Sequence, residues 1–180
     1  MQDSKKQLRR WETDEKALVK LLIQLQQTLE NMPMGEGTRK NFAQQKGKLP
    51  WPTKGKLVIR YGSSRQVGNL KWQGIMIRAS QGQNIKAVSH GRVAFADWLR
   101  GFGLLIILDH GDGFMSLYGH NQSLLKETGD WVDPGEPIST AGDSGGQSKT
   151  GLYFEIRKNG KPVNPMRWCR KQRGTRVGMN

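Results

Sequence analysis

Apolar residues near the start of the chain recur every three or four positions. Leu8, Trp11, Leu18, Leu22, Leu25, Leu29 and Met32 keep a 3,4 spacing that is interrupted only at Glu15, so they fall along one stripe of an α-helix. Asp3 or Ser4 supplies a cap at its start, and Pro33 with Gly35 predicts its stop. Such a stripe on an otherwise charged helix is not stable in water by itself. It predicts either the tail of a longer coiled coil or a helix lying on the rest of the chain. The polar stretch 35–48 reads as a linker, and Leu49-Pro50-Trp51-Pro52 opens a new unit.

From there the pattern changes to short β-like runs punctuated by glycine. Residues 57–61, 74–78, 92–96, 104–109, 115–118, 137–141 and 152–157 each have strand length, with turn residues at both ends. Gly111-Asp112-Gly113 predicts a tight hairpin between two of them. No helical pattern of useful length interrupts the series. The expectation is a mainly β, antiparallel domain over residues 49–168, preceded by an amphipathic α-helix and linker over 1–48.

Composition narrows the class. A chain of 180 residues with 35% hydrophobic and 8% aromatic side chains holds one modest domain and an appendage, not a large multidomain enzyme. The 29 Lys and Arg against 15 Asp and Glu give a charge of +14, which attracts polyanions or anionic surfaces without choosing among them. Arg167, Arg170, Lys171, Arg173 and Arg176 cluster at the end with Gly174 and Gly178 between, so 169–180 reads as a frayed basic tail. No apolar run approaches the roughly 18 residues of a membrane span, and Lys5, Lys6, Arg9 and Arg10 follow Met1 without an apolar signal core. Any export signal is expected outside this stretch. The single Cys169 excludes an internal disulfide.

Candidate chemistry is sparse. His90, His110 and His120 show no His-x-His or His-x-x-x-His spacing, which makes a zinc site improbable on spacing alone. The turn Gly142-Asp143-Ser144-Gly145-Gly146 has no neighbouring histidine to activate Ser144, and it reads as a hairpin connection. No glycine-rich stretch joins a strand to a helix as a phosphate loop does. Without a recognition helix or aromatic RNA-binding signature, nucleic acid is not an expected partner.

One ordered series is more specific. Gly91-Arg92-Val93, the run from Gly103 to His110 with Gly111-Asp112-Gly113, Leu117-Tyr118-Gly119-His120, the stretch 129–135, Gly151-Leu152-Tyr153-Phe154-Glu155-Ile156 and Val163-Asn164-Pro165 together resemble the LytM (lysostaphin-type) zinc endopeptidase domain. The resemblance covers about 120 residues and implies an antiparallel LytM-type sheet of duplicated-hybrid-motif kind. In active members a His-x-Gly-x-Asp segment and a His-x-His segment supply the zinc ligands and a catalytic histidine, and a Tyr-x-His strand adds a second one. Here the first segment is Trp72-Gln73-Gly74-Ile75-Met76 and the second is Gly151-Leu152-Tyr153. Trp72, Met76, Gly151 and Tyr153 thus stand at degenerate metal positions, and His120 is the residual family histidine. The resemblance therefore implies no metal, no cofactor, no catalytic residue and no enzyme activity.

Trp51-Pro52, Ala96-Asp97-Trp98-Leu99, Ser116-Leu117-Tyr118-Gly119, Ser144-Gly145-Gly146-Gln147 and Leu152-Tyr153-Phe154-Glu155-Ile156-Arg157 are similar to the degenerate, EnvC-like branch of that family, the murein hydrolase activators. That likeness implies a periplasmic, non-catalytic activator of N-acetylmuramoyl-L-alanine amidases in septal peptidoglycan splitting during cell division. It also implies an FtsEX-type complex acting through an upstream coiled coil, at a peptidoglycan surface. The alternatives are a peptidoglycan-binding module or a residual LytM-type endopeptidase. The implied groove comprises Gln73, Met76, Leu105, Tyr118, Tyr153 and Arg157, with Phe102 at the rim. Strand alternation places Tyr118 and His120 on one face, and likewise Tyr153, Glu155 and Arg157. Arg157 is expected to meet an acidic group of the amidase. Residues 5–32 are expected to restrain the groove, reached through a linker of roughly 17 residues.

Overall fold

In a computed structural model of the chain, residues 2–32, 41–65 and 68–179 are described. Helix α1 (Gln2–Glu30) comes first, and it already contains Asp3 and Ser4, so neither caps it from outside. The predicted stop at Pro33 and Gly35 lies outside the described residues. Eleven strands follow: β1 (Gly55–Ile59), β2 (Ile75–Arg78), β3 (Asn84–Lys86), β4 (Gly91–Leu99), β5 (Gly103–Gly111), β6 (Phe114–Leu124), β7 (Trp131–Val132), β8 (Pro137–Ala141), β9 (Gly151–Lys158), β10 (Lys161–Val163) and β11 (Arg176–Val177). The antiparallel order is β11-β1-β2-β9-β6-β5-β4-β7, with β10 beside the end of β9 and β8 joining β3 to the far half of β6. The predicted hairpin joins β5 to β6, and Asp112 and Gly113 take positive φ of 54° and 84° there.

The central strands are apolar on both faces because both faces are covered. On one side Ile75, Ile77, Ile106, Leu108, Tyr118, Phe154 and Ile156 form the main core. On the other, Met76, Leu105, Ile107, Met115, Leu117 and Tyr153 are closed over by Leu18 and Leu22 of α1. The leucine stripe therefore finds its apolar partner in the same chain.

The ends of the domain differ from the expected boundaries. Phe42, inside the supposed linker, sits in a short 3-10 helix (Phe42–Gln45) capped by Asn41. It packs on His110, Phe114 and Trp168 at centroid distances of 4.7, 4.8 and 5.1 Å. The supposed tail is also built in. Cys169 is buried, Trp51 Nε1 donates to the Arg170 carbonyl at 2.8 Å, and β11 pairs with β1 while burying Val177. A few apolar side chains at each end outweigh the polar composition around them, because they are buried in the close-packed main core.

Candidate partner-binding groove

The residues that the resemblance sets at degenerate metal positions come together on the α1 side of the sheet. Met76 pairs with Tyr153 across β2 and β9, and Tyr153 pairs with Gly119 across β9 and β6. Around the Tyr153 ring lie Trp72, Phe102 and His120, with centroids 6.2, 6.0 and 6.0 Å away. Gly151 precedes Tyr153 by two residues on the same strand, so it shares that face and adds no side chain. Gly74 is required by space: a Cβ there would lie 2.5 Å from the Phe154 carbonyl oxygen. This lets the segment carrying Trp72 approach β9 closely.

His120 reaches this face through its backbone. It holds φ of 63°, and β6 shifts register against β5 between Tyr118 and Asn121. Regular alternation is thereby broken, and Tyr118 and His120 do not share a face. Tyr118 instead lies in the main core, accepting from Val88 N at 3.3 Å and bonding Ser116 Oγ at 2.8 Å. Ser116 in turn meets His110 Nε2 at 2.6 Å, and His110 Nδ1 donates to the His90 carbonyl at 2.7 Å. Tyr118, expected in the groove, thus belongs to a buried polar chain behind it.

His120 Nδ1 donates to the Ser144 carbonyl at 2.8 Å. Burial pushes its imidazole down to about 4, with the Ser144 carbonyl opposing and Arg65 adding to the fall, so the ring is neutral near pH 7. Ser144 Oγ donates to the Asn121 carbonyl at 2.5 Å and accepts from Leu104 N at 3.0 Å. The glycine-rich turn is thus fastened to β5 and β6, and His120 holds the loop rather than a reacting group.

These residues do not fit zinc. An indole, a thioether and a glycine hydrogen are not ligands for it, and one imidazole is too few. Tyr153 Oη donates to Glu155 Oε2 at 2.5 Å, and burial, reinforced by the Glu155 charge, raises its pKa well above the ordinary range, so it stays a neutral phenol. Among the described residues no three His, Cys, Asp or Glu side chains form a group able to hold a metal.

A charged row crosses the apolar floor. Arg157, with 2% of its side chain exposed, donates from Nε to Glu155 at 2.7 Å, from Nη1 to the Gly160 carbonyl at 3.1 Å and from Nη2 to Glu15 of α1 at 2.9 Å. Burial alone would lower the guanidinium pKa, but Glu155 and Glu15 outweigh it and hold it above its usual value. Burial raises the Glu155 pKa against the pull of Arg157. The acid that interrupts the leucine stripe is thus the one that reaches the buried arginine. One turn earlier, Arg65 lies between the rings of Trp11 and Trp72, 4.0 and 3.9 Å from their centroids. Asp14, buried, accepts from Arg100 Nε at 2.8 Å.

Of the expected groove residues, Met76, Phe102, Leu105 and Tyr153 lie together under α1, and Arg157 joins them through Glu15. Gln73 is half-buried at the edge and turns back to donate to the Lys71 carbonyl at 3.2 Å. Tyr118 is elsewhere. Sequence reasoning missed Trp11, Glu15, Arg65, Ile107, Met115 and Leu117. Glu15 was visible as the break in the stripe, and Ile107, Met115 and Leu117 follow from alternation once the face of Tyr153 is known. Arg65 gave no signal.

Fold and site together define an antiparallel β domain with an aromatic and apolar groove under its N-terminal helix. Residues 70–165 match peptidase family M23. The chain belongs to that family. It is 50% identical over 123 residues to the murein hydrolase activator EnvC of Escherichia coli (strain K12), covering 68% of this chain and 29% of that protein. It is 46% identical over 119 residues to the murein hydrolase activator NlpD of the same organism, covering 66% and 30%. The chain therefore spans about three-tenths of the length of these relatives. Among solved structures it is similar to lysostaphin from Staphylococcus simulans, with a TM-score of 0.60, 25% identity and coverage of 68% and 52%. A putative peptidase M23 from Pseudomonas aeruginosa shares the fold, with a TM-score of 0.62, 23% identity and coverage of 89% and 61%. Among the described residues no helix is long and apolar enough to cross a membrane.

Proposed function

We propose that this chain is a non-catalytic activator of peptidoglycan hydrolases, and specifically of periplasmic N-acetylmuramoyl-L-alanine amidases acting in septal splitting. The observation that carries this reading is the groove itself: Trp72, Met76 and Tyr153, which the resemblance sets at metal positions, pack together, and α1 lies on this face through Leu18, Leu22 and Glu15. Buried aromatic and apolar anchors around one arginine have the composition of a protein-binding hot spot. The names of the two activator relatives support the same direction. In this reading α1 is a restraining segment that holds the groove closed, the amidase occupies the groove when α1 leaves, and an FtsEX-type complex acts on the helical part of the longer protein. The basic surface keeps the molecule near peptidoglycan, while the groove selects the partner.

The test is amidase add-back with dye-labelled sacculi. The whole chain is expected to release no dye alone and to stimulate a purified amidase weakly. The chain lacking residues 1–40 is expected to stimulate it strongly, and Trp72→Ala or Met76→Ala in that shortened chain is expected to remove the gain. Dye release without amidase would overturn the reading in favour of a peptidase. Equal stimulation with and without α1 would remove the restraint from it.

A further inference from the structure

Beyond the reach of α1, the sheet face that carries Met76 continues to the start of β1 and the end of β2. Arg78 follows Met76 by two residues in a regular stretch of β2, and Lys56 stands opposite in sense to the core residue Leu57, so both side chains belong to that face. Here the protein forms a cleft of about 760 Å3 to which Lys54, Lys56, Arg78, Lys149 and Arg176 contribute, and among the described residues none of α1 lines it. Its floor is tight backbone: a Cβ on Gly55 would collide with the Arg78 carbonyl oxygen. Among the described residues no acidic side chain lines the cleft. All five cations are exposed, and none pairs with a carboxylate among the described residues.

Five positive charges around one concavity repel one another and focus a positive potential that a bound anion relieves. The two guanidinium groups add paired donors suited to planar or tetrahedral oxyanions. A single carboxylate answers one or two such donors. A phosphate, with more oxygens and up to two charges, answers several at once. Met179, 49% exposed, gives the cleft one apolar wall beside Arg176, which suits a phosphate ester with an apolar portion. We propose that this cleft is a phosphate-binding site, separate from the groove under α1 and independent of the reading of that groove. A phospholipid headgroup and a free phosphate present the same chemistry to it.

The experiment follows amide NMR shifts of the whole chain during titration with inorganic pyrophosphate at low salt. Shifts are expected at Lys56, Ser80 and Thr150. The double reversal Arg78→Glu/Arg176→Glu is expected to weaken binding about tenfold or more, whereas Lys16→Glu/Lys20→Glu, an equal charge change on the exposed side of α1, weakens it less than about threefold. All four side chains are exposed, and circular dichroism checks that both variants fold. A parallel arm measures sedimentation with phosphatidylglycerol and phosphatidylcholine vesicles. Binding to phosphatidylglycerol that pyrophosphate displaces identifies a headgroup site, and pyrophosphate binding without vesicle binding identifies a free-phosphate site; both support the proposal. Equal weakening in the two variants, shifts confined to other surfaces, or no binding to either probe overturns it.

Discussion

At the scale of single residues, Arg157 shows how one charge ties groove to helix. It is buried against Glu155, which is itself fully buried, and only its Nη2 bond to Glu15 depends on α1. Removing the guanidinium leaves Glu155 without its cation, so Arg157→Ala is expected to cost about 3–5 kcal/mol of stability. Urea unfolding measures this, and the paired replacement Glu155→Gln/Arg157→Met is expected to recover most of the loss. An Arg157→Ala protein as stable as the parent would show that the pair carries no buried charge. His120, which is buried, and His110, which is partly exposed and stacked under Phe42, give a second residue-scale expectation. His110 and His120 are both pushed from 6.5 to about 4, chiefly by burial. The folded state binds fewer protons than the unfolded chain, so this stability is complete above pH 6.5 and is lost as pH falls toward 4. The loss amounts to roughly 3 kcal/mol for each ring at full protonation. Urea midpoints measured across that range are expected to fall steeply, and His120→Asn to flatten part of the slope.

At the scale of elements, α1 is held by three different kinds of contact along one stripe. Trp11 stacks on Arg65, Glu15 bonds Arg157, and Leu18 and Leu22 are buried, with Leu25 and Leu29 packed beyond them. A fully buried leucine contributes about 1.5–3 kcal/mol, more than an ion pair of which one partner is partly exposed. The leucines therefore hold the helix down, and the polar contacts fix its register. Leu18→Ala/Leu22→Ala is expected to raise hydrogen exchange along α1 while the β5 and β6 amides stay protected. Protection retained along α1 would place the hold elsewhere. Seven strands were legible in the sequence because each is an apolar run between turn residues. The four missed strands, β3, β7, β10 and β11, have two or three residues each, and pairing with a longer neighbour, not local pattern, makes them strands.

At the scale of the whole molecule, the domain runs from Asn41 to Val177, wider at both ends than the polar composition implies. Removing residues 1–40 is expected to leave a folded sheet, whereas starting at residue 49 deletes Phe42 from the main core and is expected to lower the melting temperature by roughly 10–20 °C, as losing about 3–5 kcal/mol of aromatic burial does. Calorimetry on the two shortened chains separates these outcomes; equal melting temperatures would show that Phe42 adds nothing. The sequence by itself determined the helical stripe and the antiparallel sheet, because periodicity is a local property. It also marked Glu15 as the polar break in that stripe. Only the tertiary structure decided what the stripe rests on, that Glu15 meets Arg157 across 142 residues, that His120 turns toward Tyr153 while Tyr118 turns away, and that five separated cations share one cleft. Each of these depends on backbone placement between distant segments, and one positive φ or one register shift reverses what alternation along a single strand predicts.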